Sequence, residues 1–220
     1  MESQANVTKK PRELLRTYVS RCVAVLQSEY LSEGRRSTGA RKLAVLRRAV
    51  AKEPGTVPET WGLEFDGMPD CLVGRGQAPS VGELAVHGAL TLYAVHQQSQ
   101  IEAMHMPGRK HSLGSAVRML TIKDSAKYDN LEPGELPRRF AAMVTAQSIS
   151  ETTYYARQLV KQLRSASIPL DYGLLAQQFY DLQNPYRADG VRLSWGRDYA
   201  QYRQSAEDNP ETSSVDGERN

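Results

Sequence analysis

The sequence predicts an all-α fold, and three observations predict it. Apolar residues recur at helical spacing along almost the whole chain, no run alternates with a period of two, and capping signals precede two of the periodic stretches. The expected architecture is two packed helical bundles, an N-terminal domain over 1–105 and a C-terminal domain over 106–204, with a disordered acidic tail over 205–220.

The elements follow in order. Leu14, Leu15, Tyr18, Val19, Cys22, Val23, Leu26 and Tyr30 share one broad face at ~100° per residue, which predicts a helix from Leu14 to Tyr30. SEGRRSTG breaks it, and Ser37 or Thr38 could cap a second helix from about Arg41 to Lys52. EPGTVPE is a turn and the stretch 61–79 a Gly/Pro-rich connector. Ser80 and Glu83 then form a capping-box pattern ahead of a long helix through VGELAVHGALTLYAVHQQSQ. MPGRKHSLG (106–114) marks the joint between halves, and short helices should follow from Leu113 and from about Pro137. A second box, Ser148 to Glu151, opens TTYYARQLVKQLRS. SIPLDYG breaks that helix, LLAQQFYDLQ resumes, and a last helix carries VRLSWGRDYAQYR. Beyond Gln204 the chain is polar, acidic and aperiodic.

Composition narrows the class. With 220 residues, 40% hydrophobic and 24% charged, the chain can pack a core of ordinary size. No apolar run approaches the ~20 residues that span a bilayer, and MESQANVTKKPREL lacks the apolar core of a signal peptide. Cys22 and Cys71 are isolated, which argues against structural zinc and fits a reducing compartment. A cytoplasmic location without membrane association is therefore expected.

Charge is segregated along the chain. Residues 9–48 carry eleven Lys/Arg against three acids, and residues 49–104 two against seven. Residues 105–164 return to ten against five, and the last sixteen hold one against five. Basic blocks separated by acidic ones suggest a polyanion-binding surface on one side of a soluble body. On the second helix Leu43, Leu46 and Val50 fall within ~60° of each other, while Arg41, Arg48 and Lys52 lie opposite, with Lys42 and Arg47 flanking. On the helix after Ser148, Tyr155, Leu159 and Leu163 make an apolar stripe, and Arg157, Lys161 and Arg164 a separate basic one.

A charged stripe is ordinarily a solvated face. Two features favour phosphate binding here. Neither stripe has an acid partner at i+3 or i+4. Arg138 and Arg139 follow Pro137 in what should be a first helical turn, where the macrodipole disfavours cations but free N–H groups suit an anion. Arginine outnumbers lysine in these blocks, and its planar fork grips phosphate oxygens bidentately. Tyr18, Tyr93, Tyr128, Tyr154 and Tyr199 could stack on unpaired bases, though core packing suits most of them.

Catalytic signatures are absent: there is no Walker A loop, no G-x-G-x-x-G, no H-E-x-x-H and no G-x-S-x-G. His87 and His96 project ~180° apart on one helix and cannot share a metal. His105 and His111 flank a Pro-Gly turn without carboxylates nearby in sequence. Helix-packing or turn roles are expected for all four, with no enzyme activity and no cofactor.

Several segments read together. ARKLAVLRRAV, PGTVPETWGL, ELAVHGALTLYAVHQQSQ, SLGSAVRML, PRRFAAMVTAQSISE, LRSASIPLDYGLLAQQFYDLQ and VRLSWGRDY, colinear from about Arg41 to Tyr199, resemble the CasB family, the small subunit of the type I-E CRISPR surveillance complex Cascade. The resemblance implies a non-catalytic, all-helical subunit that pairs with a second copy of itself and joins other Cascade subunits. It implies contact with the guide RNA (crRNA) backbone and with target and non-target DNA, holding the R-loop open in antiviral defence. Family basic positions match Arg41, Arg47, Arg48, Arg118, Arg138 and Arg139. Arg109, Lys110 and Arg164 extend that set from the charge pattern, while Arg192 and Arg197 suit structural roles, pairing with Asp198 or Asp171. Two alternatives stay open on the residues alone: a free-standing nonspecific nucleic-acid-binding helical protein, and a scaffold whose basic faces meet acidic proteins.

Overall fold

The computed structural model describes residues 10–124 and 136–202, which form nine α-helices and no strand among the described residues. They are α1 (Pro11–Leu31), α2 (Arg36–Ala49), α3 (Trp61–Glu64), α4 (Val81–His96), α5 (Leu113–Lys123), α6 (Arg138–Thr145), α7 (Ile149–Ser165), α8 (Tyr172–Leu182) and α9 (Pro185–Gln201). The all-α expectation holds, and no described helix is long and apolar enough to cross a membrane. The predicted acidic tail lies outside the described residues.

Helix α4 sits at the centre because it has no solvent face: thirteen of its sixteen residues are buried. Its neighbours α1, α2, α7 and α8 pack around it. The expected capping box is present. Ser80 Oγ accepts from the Glu83 N–H (3.0 Å), and the Glu83 carboxylate accepts from the Ser80 N–H (2.7 Å). The second box forms only by half. Ser148 Oγ accepts from the Glu151 N–H at 3.1 Å, but the Glu151 carboxylate takes the Gln147 N–H instead, at 2.9 Å.

Helix α2 begins at Arg36, five residues before the expected start, because a 3-10 turn over Glu33–Arg35 leads directly into it. Ser37 and Thr38 therefore lie inside the helix and cap nothing. Gly39 is needed there, since a Cβ would fall 2.5 Å from the Tyr30 nitrogen where α1 and α2 cross. The helix ends at Ala49, which leaves Lys52 in the following loop rather than on the basic stripe.

One hydrophobic cluster runs from Leu15 to Tyr199 and is built by helices on both sides of the 106–114 joint. A buried carboxylate ties that joint down. Asp171 Oδ2 accepts from Arg16 (2.9 Å) on α1 and from the Gly108 N–H (3.0 Å), while Oδ1 caps α8 through the Leu174 N–H (2.9 Å). Helices α5 and α9 approach so closely at Gly114 that an added Cβ would collide with the Trp195 carbonyl and lie 2.9 Å from the Tyr199 nitrogen. Gly114→Ala should therefore cost about 1–3 kcal/mol through overpacking. Urea unfolding tests this, and an unchanged midpoint would show that the two backbones can separate freely.

Candidate nucleic-acid interface

The basic residues divide by whether the fold supplies an acid. In α1, Arg12 meets Asp181 (3.6 Å) and Arg16 meets Asp171 (2.9 Å), so two cations of the N-terminal block serve the α1–α8 contact. Lys42 is held by Glu29 at 2.7 Å, Arg187 by Asp181 at 3.2 Å and Arg192 by Asp189 at 3.0 Å. Arg192 also donates to the Val144 and Ala146 carbonyls, so its role is structural, as expected. The expected acid partners are otherwise engaged: Asp198 takes Arg109 (2.8 Å) and Asp171 takes Arg16.

Against that set stand Arg41, Arg48, Arg138, Arg139 and Lys161. All five are exposed and form no hydrogen bond or ion pair among the described residues. Arg138 and Arg139 open α6, which has no side-chain N-cap and no acid in its first turn.

Helix α7 carries a row of three cations. Arg157, Lys161 and Arg164 run along it over ~10 Å at 1.5 Å per residue. At one end, Arg164 Nη1 donates to the Val95 carbonyl (3.4 Å) and to Gln98 Oε1 (3.0 Å), while Arg47 Nη1 donates to the Ala94 carbonyl (3.4 Å). Two guanidinium groups from different helices thus meet at the C-terminus of α4, the negative end of its dipole. Burial lowers the Arg47 pKa, with the Arg164 charge adding to the effect. The two like charges repel, and an anion placed between them offsets that repulsion.

Midway along α7, Lys161 lines a groove of about 480 Å³ with Arg139 from α6 and Lys123 from the end of α5, beside Asp124. Arg139 and Lys161, predicted from separate patterns, are thereby brought together. Lys123 was not anticipated. It belongs to no stripe, and only its place at the last turn of α5 could have suggested it.

Arg109, Lys110 and Arg118 sit elsewhere, on the α5–α9 side. Arg109 is bound to Asp198 although its side chain is 70% exposed. Lys110 is exposed beside it. The Arg118 guanidinium lies 5.5 Å from the Tyr199 ring centroid, and that ring packs on Phe140 at 5.9 Å. Of the tyrosines, Tyr18, Tyr93 and Tyr199 are buried, Tyr154 is 60% exposed, and Tyr128 lies outside the described residues.

His87, His96 and His105 are each held by a partner that was invisible in sequence. His87 Nδ1 lies 2.9 Å from Glu64 Oε1, and His105 Nδ1 accepts from the Tyr172 N–H at 3.1 Å. His96 Nδ1 lies 2.9 Å from the Tyr172 hydroxyl. No group of three or more His, Cys, Asp or Glu able to hold a metal occurs among the described residues.

The model of the CRISPR-associated protein Cse2 family (CRISPR_cse2) matches residues 42–199, well over half the chain. The chain belongs to the Cse2 family. Among solved structures it is similar to CasB from Thermobifida fusca, with 33% identity over 84% of this chain and 97% of that one and a TM-score of 0.66. A Cse2-family protein from Thermus thermophilus shares the fold at 19% identity, covering 84% and 97% with a TM-score of 0.58. CasB from M. ruber does so at 18%, covering 73% and 83% with a TM-score of 0.53. No curated protein matches the chain. This Cse2-family chain is thus a CRISPR-associated helical protein, as the resemblance implied.

His96, beneath the Arg47–Arg164 pair, supplies no charge of its own. Burial drives its pKa down from 6.5 to about 3, and the Arg164 charge contributes. Because the unfolded ring binds a proton below pH 6.5 and the folded ring only near pH 3, stability from this site falls as pH drops through that window. Between pH 7 and pH 5 the loss should be about 2 kcal/mol. Urea unfolding of the wild type and His96→Gln at both pH values tests it. Equal pH dependence in the two would show that His96 is not held neutral.

Proposed function

We propose that the chain is the non-catalytic small subunit of a type I-E Cascade complex and holds nucleic-acid backbones on the α7 ridge and its flanks. The observation that carries this reading is the convergence of Arg47 with Arg164, and of Arg139 with Lys161 and Lys123, on one helix whose own cations have no acid partner among the described residues. Phosphates supply the missing counter-charge, and sequence is left to base pairing between guide RNA and target. Arg41, Arg48 and Arg138 extend the track, with Arg109, Lys110 and Arg118 providing a separate basic area near α5.

On this reading the chain works in the cytoplasm beside other Cascade subunits and a second copy of itself. It contacts guide RNA and the target and non-target strands. R-loop formation exchanges one duplex for another of similar stability, so a few phosphate contacts are enough to tip it. Each contact releases counterions, which makes the stabilisation salt-dependent.

Reconstituting the guide-RNA complex with and without the chain across a salt series tests the proposal. The chain should stabilise the R-loop, with a gain that shrinks as salt rises. A chain that neither joins the complex nor changes the R-loop would sink the reading. Arg139→Ala with Lys161→Ala should weaken R-loops equally on unrelated targets and flatten the log–log salt slope by about 1 to 2. Loss confined to some target sequences would contradict backbone binding.

A further inference from the structure

Beside the basic ridge lies a pocket that phosphate contacts do not explain. It is enclosed by the loop after α2, the middle of α4 and the first turns of α7, and its volume is about 200 Å³. That is below the range of roughly 300–1,000 Å³ typical for drug-sized ligands, and above the roughly 150 Å³ cavity that holds benzene. The space suits one ring system with a small attachment.

Its polar lining is incompletely satisfied. On the floor, the His87 side chain is 9% exposed and its Nδ1 faces the buried Glu64 carboxylate, yet its Nε2 has no partner. Arg157 Nε is likewise buried and unpartnered. An unpaired polar atom in such a place is costly, so a ligand that bonds to it gains. Nδ1 is occupied by Glu64, so Nε2 is the ring atom left for a ligand. Val50, Leu84 and Ile149 supply apolar walls, and the exposed Tyr154 stands at the lip. Lys52 and Arg157 outnumber Glu53, the acid in the lining.

We infer that this pocket receives a single nucleotide, its base entering toward His87 beneath Tyr154 and its phosphate resting at the rim by Lys52 and Arg157. The inference rests on the nucleic-acid reading above, because α7 carries both the ridge and the pocket wall. A base edge offers both donors and acceptors to Nε2, its faces fit apolar walls, and a tyrosine can stack on it whatever its identity. The same chemistry is presented by a free mononucleotide and by one nucleotide of a bound single strand.

The test follows the His87 ring resonances of the full-length chain by NMR during titration with AMP or dTMP, with an unstructured oligothymidine, and with inorganic phosphate. Strand binding is measured on the same samples by fluorescence anisotropy. The nucleotide, the oligonucleotide or both should shift the His87 signals, and which of them does so identifies the source. Ser150→Trp, an exposed lining position, should abolish the shift by filling the mouth, and Tyr154→Ala should weaken it roughly tenfold through lost stacking. Shifts caused equally by inorganic phosphate, or retained in Ser150→Trp, would overturn the pocket assignment. So would unmoved signals while the oligonucleotide still binds, an outcome that leaves the basic ridge standing. Unmoved signals with no strand binding at all would overturn both readings.

Discussion

The burial of α4 on every side is the constraint on which the rest of the structure depends. A helix buried on every side can be stable only inside a shell, and α1, α2, α7 and α8 form that shell. Because those helices must all face one axis, their outer faces are set relative to each other. The C-terminal carbonyls of α4 then become the point where Arg47 and Arg164 converge, and its middle becomes the floor beneath His87. Core and candidate interface are two consequences of one packed helix.

Partner availability decides what each arginine does. A guanidinium beside a buried carboxylate, such as Arg16 on Asp171, joins helices, because removing it strands a charge in the interior. A guanidinium without an acid remains hydrated and free to meet phosphate. The N-terminal basic block contains both kinds, which explains why its large excess of charge overstates the surface it offers. Arg12 and Arg16 belong to the α1–α8 seam, while Arg41 and Arg48 remain unpaired on α2 among the described residues.

Much of the fold was legible because its signals are local. The Ser80–Glu83 box and the apolar period of α1 act within a turn or two of themselves. The start of α2 was misread for the converse reason: Gly39 looks like a breaker in sequence but is required by the crossing with α1. The histidine environments were illegible for the same reason, since Glu64 and Tyr172 reach His87 and His96 from remote segments.

By itself the sequence determined the helical class, most helix positions and which side chains carry charge, because propensity, capping and periodicity are properties of neighbouring residues. It also carried the ordered set of segments by which the Cse2 family is recognised over residues 42–199. Only the tertiary structure decided which cations are neutralised and which are brought together. Lys123, Arg139 and Lys161 come from three helices, as the Arg47–Arg164 pair comes from two. Electrostatic pairing depends on distance through space, and that distance exists only once the helices have closed around α4.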